Sequence, residues 1–324
     1  MNILYFIGNG FDLNLGMKTR YSDFYDYYLA INSNSNSVNN LKSNISKTIE
    51  NWSDLELELG KYTEKIETIE EFDEVFEDIV ERLADYLQQV ESTFDLSKID
   101  KKKLFDFFTF PENSLLKADT DILHAFKDNW KSSQWNVNVI TLNYTTSIEK
   151  LIEDKMKGVQ IGTHHNVYPI VLQGIEHIHG YTDKRMIMGV NDISQIANTS
   201  FHGNQDILEA IVKKDCNQAQ KHTIDNICKQ HILSANLICI FGSSIGQTDN
   251  LWWDLIGNQL KDNCNLIIFD KREKISARMG HLVARRERAL RKSFLERIKL
   301  TEEEKENISS KIFIAINSDM FNLI

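Results

Sequence analysis

The sequence predicts an α/β protein: a Rossmann-like, mostly parallel sheet with helices on both faces and an inserted helical cap. Two observations carry this expectation. Short apolar runs at 3–7, 137–142, 237–241 and 266–269 alternate with segments of helical pattern, the arrangement that builds a parallel sheet covered on both faces. The stretch between the first two runs shows helical periodicity, so it reads as an insertion between neighbouring core strands. A chain of 324 residues is long enough for such a core plus an insertion.

Taken in order, residues 1–31 read as a strand, a Gly-rich turn and a helix rich in Tyr21, Phe24, Tyr25 and Tyr28. Residues 32–44 are a low-complexity Asn/Ser stretch, expected to be a loop. Ile69, Phe72, Phe76, Ile79, Leu83, Leu87, Val90 and Phe94 recur at spacings of three and four, one face of a long helix whose other face is acidic. Residues 101–130 look mainly helical. The core is therefore assigned to 1–31 plus 134–324, and the insertion to 32–133. Within the core, a strand at 137–142 is followed by a helix over 146–157. Short β segments are expected at 159–163, 170–172, 175–178 and 186–190, then a helical region over 206–233. A strongly apolar strand at 237–241, a helix at 250–260, a strand at 266–269, a basic helix at 277–298 and a last strand at 311–316 complete the chain.

Composition narrows the function classes. No apolar run approaches the ~20 residues of a membrane span, and the N-terminus lacks a basic n-region, so a cytoplasmic protein without a membrane partner is expected. Cys216, Cys228, Cys239 and Cys264 show no paired spacing that would suggest a zinc ribbon or a disulfide framework. The net charge of −10 makes broad nucleic-acid binding a poor expectation. That charge is uneven: residues 50–95 carry 16 acidic side chains, whereas 271–299 carry 11 Lys/Arg against 3 Glu. The two stretches could attract each other within a monomer or across a homo-oligomer, or both could be solvated faces.

Four polar turns follow apolar runs: Gly8-Asn9-Gly10-Phe11-Asp12, Thr141-Leu142-Asn143-Tyr144-Thr145, His177-Ile178-His179-Gly180 and Phe241-Gly242-Ser243-Ser244. Ligands of open α/β sheets sit outside the carboxyl ends of the strands, so these turns are candidates to converge on one pocket. Gly8 and Gly10 permit close backbone approach to a phosphate or ribose, or simply a tight turn. The full GxGxxG pattern is absent, since Leu13 stands at the third glycine. Asp12 could bind a ribose hydroxyl or cap the following turn. Asn143 carries a carboxamide able to orient a water or a hydroxyl, or to cap the helix after it. His177 and His179 would share one face of an extended strand. With His164 and His165 as the nearby additional ligands, no metal site is expected, and His179 beside Gly180 reads as a general base or hydrogen-bond partner. Gly242, Ser243 and Ser244 offer backbone N–H groups and hydroxyls for a second phosphate contact. A nucleophilic serine is disfavoured without a G-x-S-x-G elbow. Thr248-Asp249 reads as a helix N-cap, and Asp270, ending a strand, is placed either to bind ribose hydroxyls or to sit in a surface loop.

These residues carry a resemblance. Ile-Gly-Asn-Gly-Phe-Asp at 7–12, Gly-x-Lys-Thr-x-Tyr-x-x-Phe at 16–24, Asn-Tyr-Thr at 143–145, His-Ile-His-Gly at 177–180 and Phe-Gly-Ser-Ser at 241–244 with Asp249 downstream resemble the AbiH family, which is associated with abortive infection against bacteriophage. The same order of motifs also resembles a diverged sirtuin-type domain, with Asn143 and His179-Gly180 at the positions of the sirtuin asparagine and catalytic histidine. The four-cysteine zinc module of deacylating sirtuins is missing, Thr145 stands where sirtuins have aspartate, and Asp12 stands where a serine is usual. The resemblance implies a cytoplasmic defence effector that takes NAD as a substrate rather than a cofactor. Asn143 and His179 would be its hydrolytic pair. Gly8, Asn9, Gly10, Phe11, Asp12, Gly242, Ser243, Ser244 and Asp270 would hold the nucleotide. The alternatives are a non-catalytic nucleotide sensor that gates a partner protein, and a nuclease acting through the basic 271–299 face.

Overall fold

The computed structural model describes residues 1–324 other than Leu96, Lys98, 153–157 and Ala277. Its strands are β1 (Asn2–Ile7), β2 (Trp135–Thr141), β3 (Val159–His164), β4 (Tyr168–His177), β5 (Leu237–Phe241), β6 (Asn265–Asp270) and β7 (Ile312–Ile316). They form one seven-stranded sheet in the order β3-β4-β2-β1-β5-β6-β7. Every pairing is parallel except that of β3 with β4. The expected Rossmann-like α/β sheet is the fold observed.

Strand periodicity explains how the sheet is covered. Ile3, Tyr5 and Ile7 point to one face with Val137, Val139, Cys239, Phe241, Ile267 and Phe269. Leu4 and Phe6 point to the other with Ile140, Ile238, Ile240, Leu266 and Ile268. Both faces of β1 are therefore apolar, as a central parallel strand requires. The first face is closed by Leu104 and Phe108 of helix Lys101–Thr109, Leu123 of helix Lys117–Lys127, and the C-terminal Met320 and Phe321. The second is closed by Cys228, Trp253, Phe294 and Ile308, each from a different helix. A third core lies beyond the sheet. There, helices Tyr21–Ala30, Asn36–Lys47, Leu55–Tyr62 and Ile69–Ser92 pack with Tyr144 and residues of 188–212.

One buried ion pair joins two neighbouring elements of the stretch that covers the first face. Lys127 and Glu112 are both almost wholly buried and lie 2.5 Å apart. Burial holds the Lys127 ammonium below its ordinary range despite Glu112. Removing one partner of such a pair strands the other charge in the interior. Lys127→Ala is expected to cost about 3–5 kcal/mol, whereas replacing both residues by apolar side chains of similar volume should cost far less. Urea unfolding of the single and double variants checks this.

Several elements depart from expectation. Residues 36–47 are helical rather than a loop, because Ser35 caps the helix at Val38 N and Val38, Leu41 and Ile45 form an apolar stripe hidden in polar composition. The segments at 170–172 and 175–178 are one continuous strand, β4, whose end falls at His177. Residues 186–190 form no strand and make only an isolated parallel bridge, Val190 to Val212. The helix after β2 runs Ser147–Leu151, and the remainder of that expectation, at 153–157, lies outside the described residues. The helical region at 206–233 is three helices, Gln205–Ile211, Lys213–Ala219 and Ile224–Ser234. No helix is long and apolar enough to cross a membrane among the described residues.

Candidate active site

β1 lies between β2 and β5. The chain builds outward on one side through β2 to β4, then crosses to the other side for β5 to β7. The connections after β1 and β5 thus diverge at the switch point of the sheet, where open α/β folds place ligands. Pairing continues one residue past the strands: Gly8 N donates to Phe241 O, Leu142 N to Ile7 O, and Ile178 N to Thr141 O, at 2.9, 2.8 and 3.1 Å. The four turns therefore leave the sheet side by side.

They open onto a cavity of about 500 Å³ whose lining includes Gly8, Asn9, Gly10, Asn143, His179, Gly242, Ser243 and Ser244. That volume lies within the range of small-molecule sites. Arg20, Tyr21 and Ser22, and Ser53, Asp54 and Glu56 from the stretch between β1 and β2, also line the cavity.

The glycines act on each other before they act on any ligand. A Cβ on Gly10 would stand 2.5 Å from Gly242 Cα, and one on Gly8 would stand 2.8 Å from Gly242 O. Gly10 N also donates to Gly242 O at 2.8 Å. The two loops interlock backbone to backbone, with Gly242 at φ +71°. Asn9 is likewise engaged: its Nδ2 donates to Thr19 O at 2.8 Å, and the Thr19 hydroxyl donates back to Asn9 Oδ1. This clasp seats the 16–24 motif against the β1 loop, and Arg20 of that motif lines the cavity.

Asn143 is held by its backbone and left open at its side chain. Its N–H donates to Thr141 Oγ1 at 3.1 Å, and its carbonyl accepts His177 Nδ1 at 2.9 Å. The helix after it takes no side-chain cap, so capping is not the role of this carboxamide. Its Nδ2 is buried and has no hydrogen-bond partner among the described residues. A buried unpaired donor costs about 1–3 kcal/mol, which an acceptor in the cavity would offset.

His177 and His179 part company, contrary to the shared strand face expected. β4 ends at His177, and Gly180 at φ +77° turns the chain. His177 Nε2 meets Glu149 Oε1 at 2.6 Å beneath Asn143. A carbonyl can only accept, so His177 Nδ1 must carry hydrogen toward Asn143 O. His179 instead lines the cavity, its Nε2 3.0 Å from Asp249 Oδ1. His164 ends β3 and stacks on Trp135, which opens β2. Among the described residues no group of three or more His, Cys, Asp or Glu could hold a metal ion.

Asp249 stands at the expected position, but its side chain does something else. It occupies the N-cap position of helix Asn250–Gln259 yet makes no side-chain cap bond there. Its Oδ1 accepts from His179 and from Lys213 Nζ, the latter at 2.8 Å. Lys213 in turn donates to Glu56 Oε2 at 2.8 Å. Burial alone would raise Asp249, but the Lys213 ammonium and then His179 hold it well below the usual carboxylate range.

Three expected contact residues lie outside the cavity lining. Phe11 is fully buried, edge-on to Phe321. Asp270 is paired with Arg272 and Arg286. Asp12 is buried and accepts the Thr145 and Ser147 hydroxyls at 2.7 and 2.6 Å, joining the β1 and β2 turns from behind. Burial pushes the Asp12 carboxyl up from 3.8 to about 6, against the Ser147 and Thr145 hydroxyls, which pull it down. The folded state therefore holds this proton more tightly than the unfolded chain. The contribution is full below about pH 3.8 and is lost as pH rises through about 6. Two units correspond to about 3 kcal/mol. The difference in urea midpoint between the parent chain and Asp12→Asn, followed from pH 4 to 7, should change across that window, and a constant difference would refute it.

The chain is thus an open α/β protein with a cavity at the switch point of its sheet, lined by the carboxamide of Asn143 and by a histidine held by a carboxylate. The chain belongs to the AbiH family: the family described as bacteriophage abortive infection AbiH matches residues 4–270, a span that takes in all four turns and Asp249. No match to the chain is found among curated proteins.

Proposed function

We propose that the cavity takes NAD or a closely related nucleotide and hydrolyses the bond between nicotinamide and ribose, so that NAD loss arrests an infected cell. The observation that carries this reading is the pairing of Asn143, with its free buried Nδ2, and His179, with its carboxylate partner, in one cavity. The sirtuin-type order of the motifs supports the same substrate.

The chemistry needs little from the protein beyond these groups. Breaking the C1′–N bond releases nicotinamide as a neutral pyridine, so no acid is required for its departure. The ribose passes through an oxocarbenium-like state, as in glycoside hydrolysis. The Asn143 amide donates to a water or ribose hydroxyl and orients its lone pair. With Nε2–H directed at Asp249, His179 Nδ1 is the nitrogen able to take a proton as water adds to C1′. Products are nicotinamide, ADP-ribose and one proton. Arg20 and the Ser243–Ser244 loop are the groups of the lining suited to the pyrophosphate.

Incubating the purified protein with NAD and following free nicotinamide tests this, with phage components added in parallel. Binding without nicotinamide release would replace the enzyme by a nucleotide sensor that acts through a partner. Metal-dependent cleavage of RNA or DNA, lost on reversing charge along the 271–299 face, would replace both.

A further inference from the structure

His179 terminates a buried chain of charge that starts in the insertion. Glu56, Lys213, Asp249 and His179 are each less than one-tenth exposed. They come from helix Leu55–Tyr62, helix Lys213–Ala219, the turn before helix Asn250–Gln259 and the turn after β4. The links measure 2.8 Å from Glu56 to Lys213, 2.8 Å from Lys213 to Asp249 and 3.0 Å from Asp249 to His179. Neighbouring backbone holds it in register: Ile187 N donates to His179 O, Lys213 N donates to Val190 O, and the Tyr144 hydroxyl donates to Ile187 O.

Burying two carboxylates and an ammonium carries a desolvation penalty of several kcal/mol per ion, and apolar packing of equal volume is often no less stable. Stability alone therefore gives a weak reason for the chain to exist. Its electrostatics give a better one. Desolvation would lower Lys213, but Asp249 and Glu56 together hold it well above its ordinary range. Lys213 stays cationic and Asp249 anionic, so Nε2 of His179 must carry the hydrogen and Nδ1 is left as acceptor. One ammonium between two carboxylates leaves one net negative charge beside the imidazole.

We propose that Lys213 and Glu56 are positioning residues for His179: acting through Asp249, they fix its tautomer and set the charge against which it protonates, tying the seating of the insertion to the core histidine. The catalytic consequence rests on the NAD-cleavage reading, but the electrostatic one does not. Other titratable groups face this network among the described residues: Tyr144, whose ring lies 6.2 Å from that of His179, Tyr21 and Asp54, which line the cavity with Glu56, Asp249 and His179, and Lys214 and Asp225, which share a small void with His179 and Lys213. None of these changes in the variants below.

The test is a titration of His179 in the full chain, by NMR of protein carrying ¹³C-labelled histidine, with the signal assigned among nine histidines by its loss in His179→Gln. Glu56→Gln removes a negative charge and should lower the His179 midpoint by roughly half a unit to one unit. Lys213→Met removes a positive charge and should raise it by a similar amount. Lys213→Arg should leave it near its original value. Opposite shifts from two residues of one network are the mark of charge acting on His179, since generic loosening would move both the same way. Midpoints that do not move, or that move together, overturn the proposal. Should Lys213→Met fail to fold, Glu56→Gln against Lys213→Arg decides alone. Nicotinamide release is followed in the same samples, and where it occurs the acid limb of its rate should track each midpoint. Shifted midpoints without any NAD cleavage would sink the enzymatic reading and leave the chain standing. NAD cleavage with unmoved midpoints would do the reverse.

Discussion

Asn143→Ala is expected to abolish nicotinamide release while leaving the fold as stable as before. Nδ2 has no hydrogen-bond partner among the described residues, so truncating the side chain breaks no hydrogen bond seen for that atom and removes a buried unsatisfied donor. The backbone contacts to Thr141 and His177 remain. Activity should fall by ~10²–10⁴, the usual effect of losing a positioned polar or acid–base group. His179→Ala should lose activity to the same degree but should also destabilise modestly, since Asp249 then loses its bond to the imidazole and keeps that to Lys213. Thermal unfolding and nicotinamide release measured together separate the cases. If Asn143→Ala retains near-parental release, the carboxamide is a structural passenger and the chemistry lies elsewhere.

The contrast between these two residues also shows what the amino-acid sequence made legible. Strand-end turns announce themselves: each of the four motifs follows an apolar run, and the topology of a parallel sheet brings such ends to one edge. The residues facing the cavity from those turns were therefore nameable in advance. Asp249 was visible but misread, because an aspartate just before a helix has an ordinary explanation as a cap. Glu56 and Lys213 carried no signal at all. Each is one charged residue on an amphipathic helix, and 157 residues separate them. Only tertiary packing, through a third core outside the sheet, brings them together. The glycines illustrate a different gap. Gly8 and Gly10 read either as clearing space for a ligand or as making a tight turn, and the space they clear is occupied by Gly242. A sequence reports that a Cβ is missing without reporting what replaces it. The helix at 36–47 was hidden for a third reason: three apolar residues at helical spacing are easily lost in an Asn/Ser-rich composition.

Substituting three glycines by alanine should resolve how firmly the turn carrying His179 is locked, because the three differ in one physical variable at a time. Gly280 opens helix Gly280–Arg297, and among the described residues nothing lies within 4 Å of an added Cβ. Gly280→Ala should stabilise by about 0.5–1 kcal/mol through lower unfolded-state entropy and better helix propensity. Gly16 sits at φ +78°, with the Ile324 side chain 4.0 Å from the added atom. Gly16→Ala should therefore meet backbone strain alone, about 1–2 kcal/mol, partly offset by the same entropy term. Gly180 has almost the same dihedral, φ +77°, but its Cβ would fall 1.6 Å from the carbonyl oxygen of Arg185. Here strain and collision add, and neither partner is a flexible side chain, so Gly180→Ala should cost about 3–5 kcal/mol. Relief requires the 180–185 turn to open, which would draw His179 away from Asp249 and remove activity beyond what the stability loss explains. Urea midpoints of the three variants, at a common m-value, should fall in the order Gly280→Ala, parent, Gly16→Ala, Gly180→Ala. A Gly180→Ala protein as stable as Gly16→Ala would mean that the turn yields easily, and that something other than its rigidity holds the histidine in the cavity.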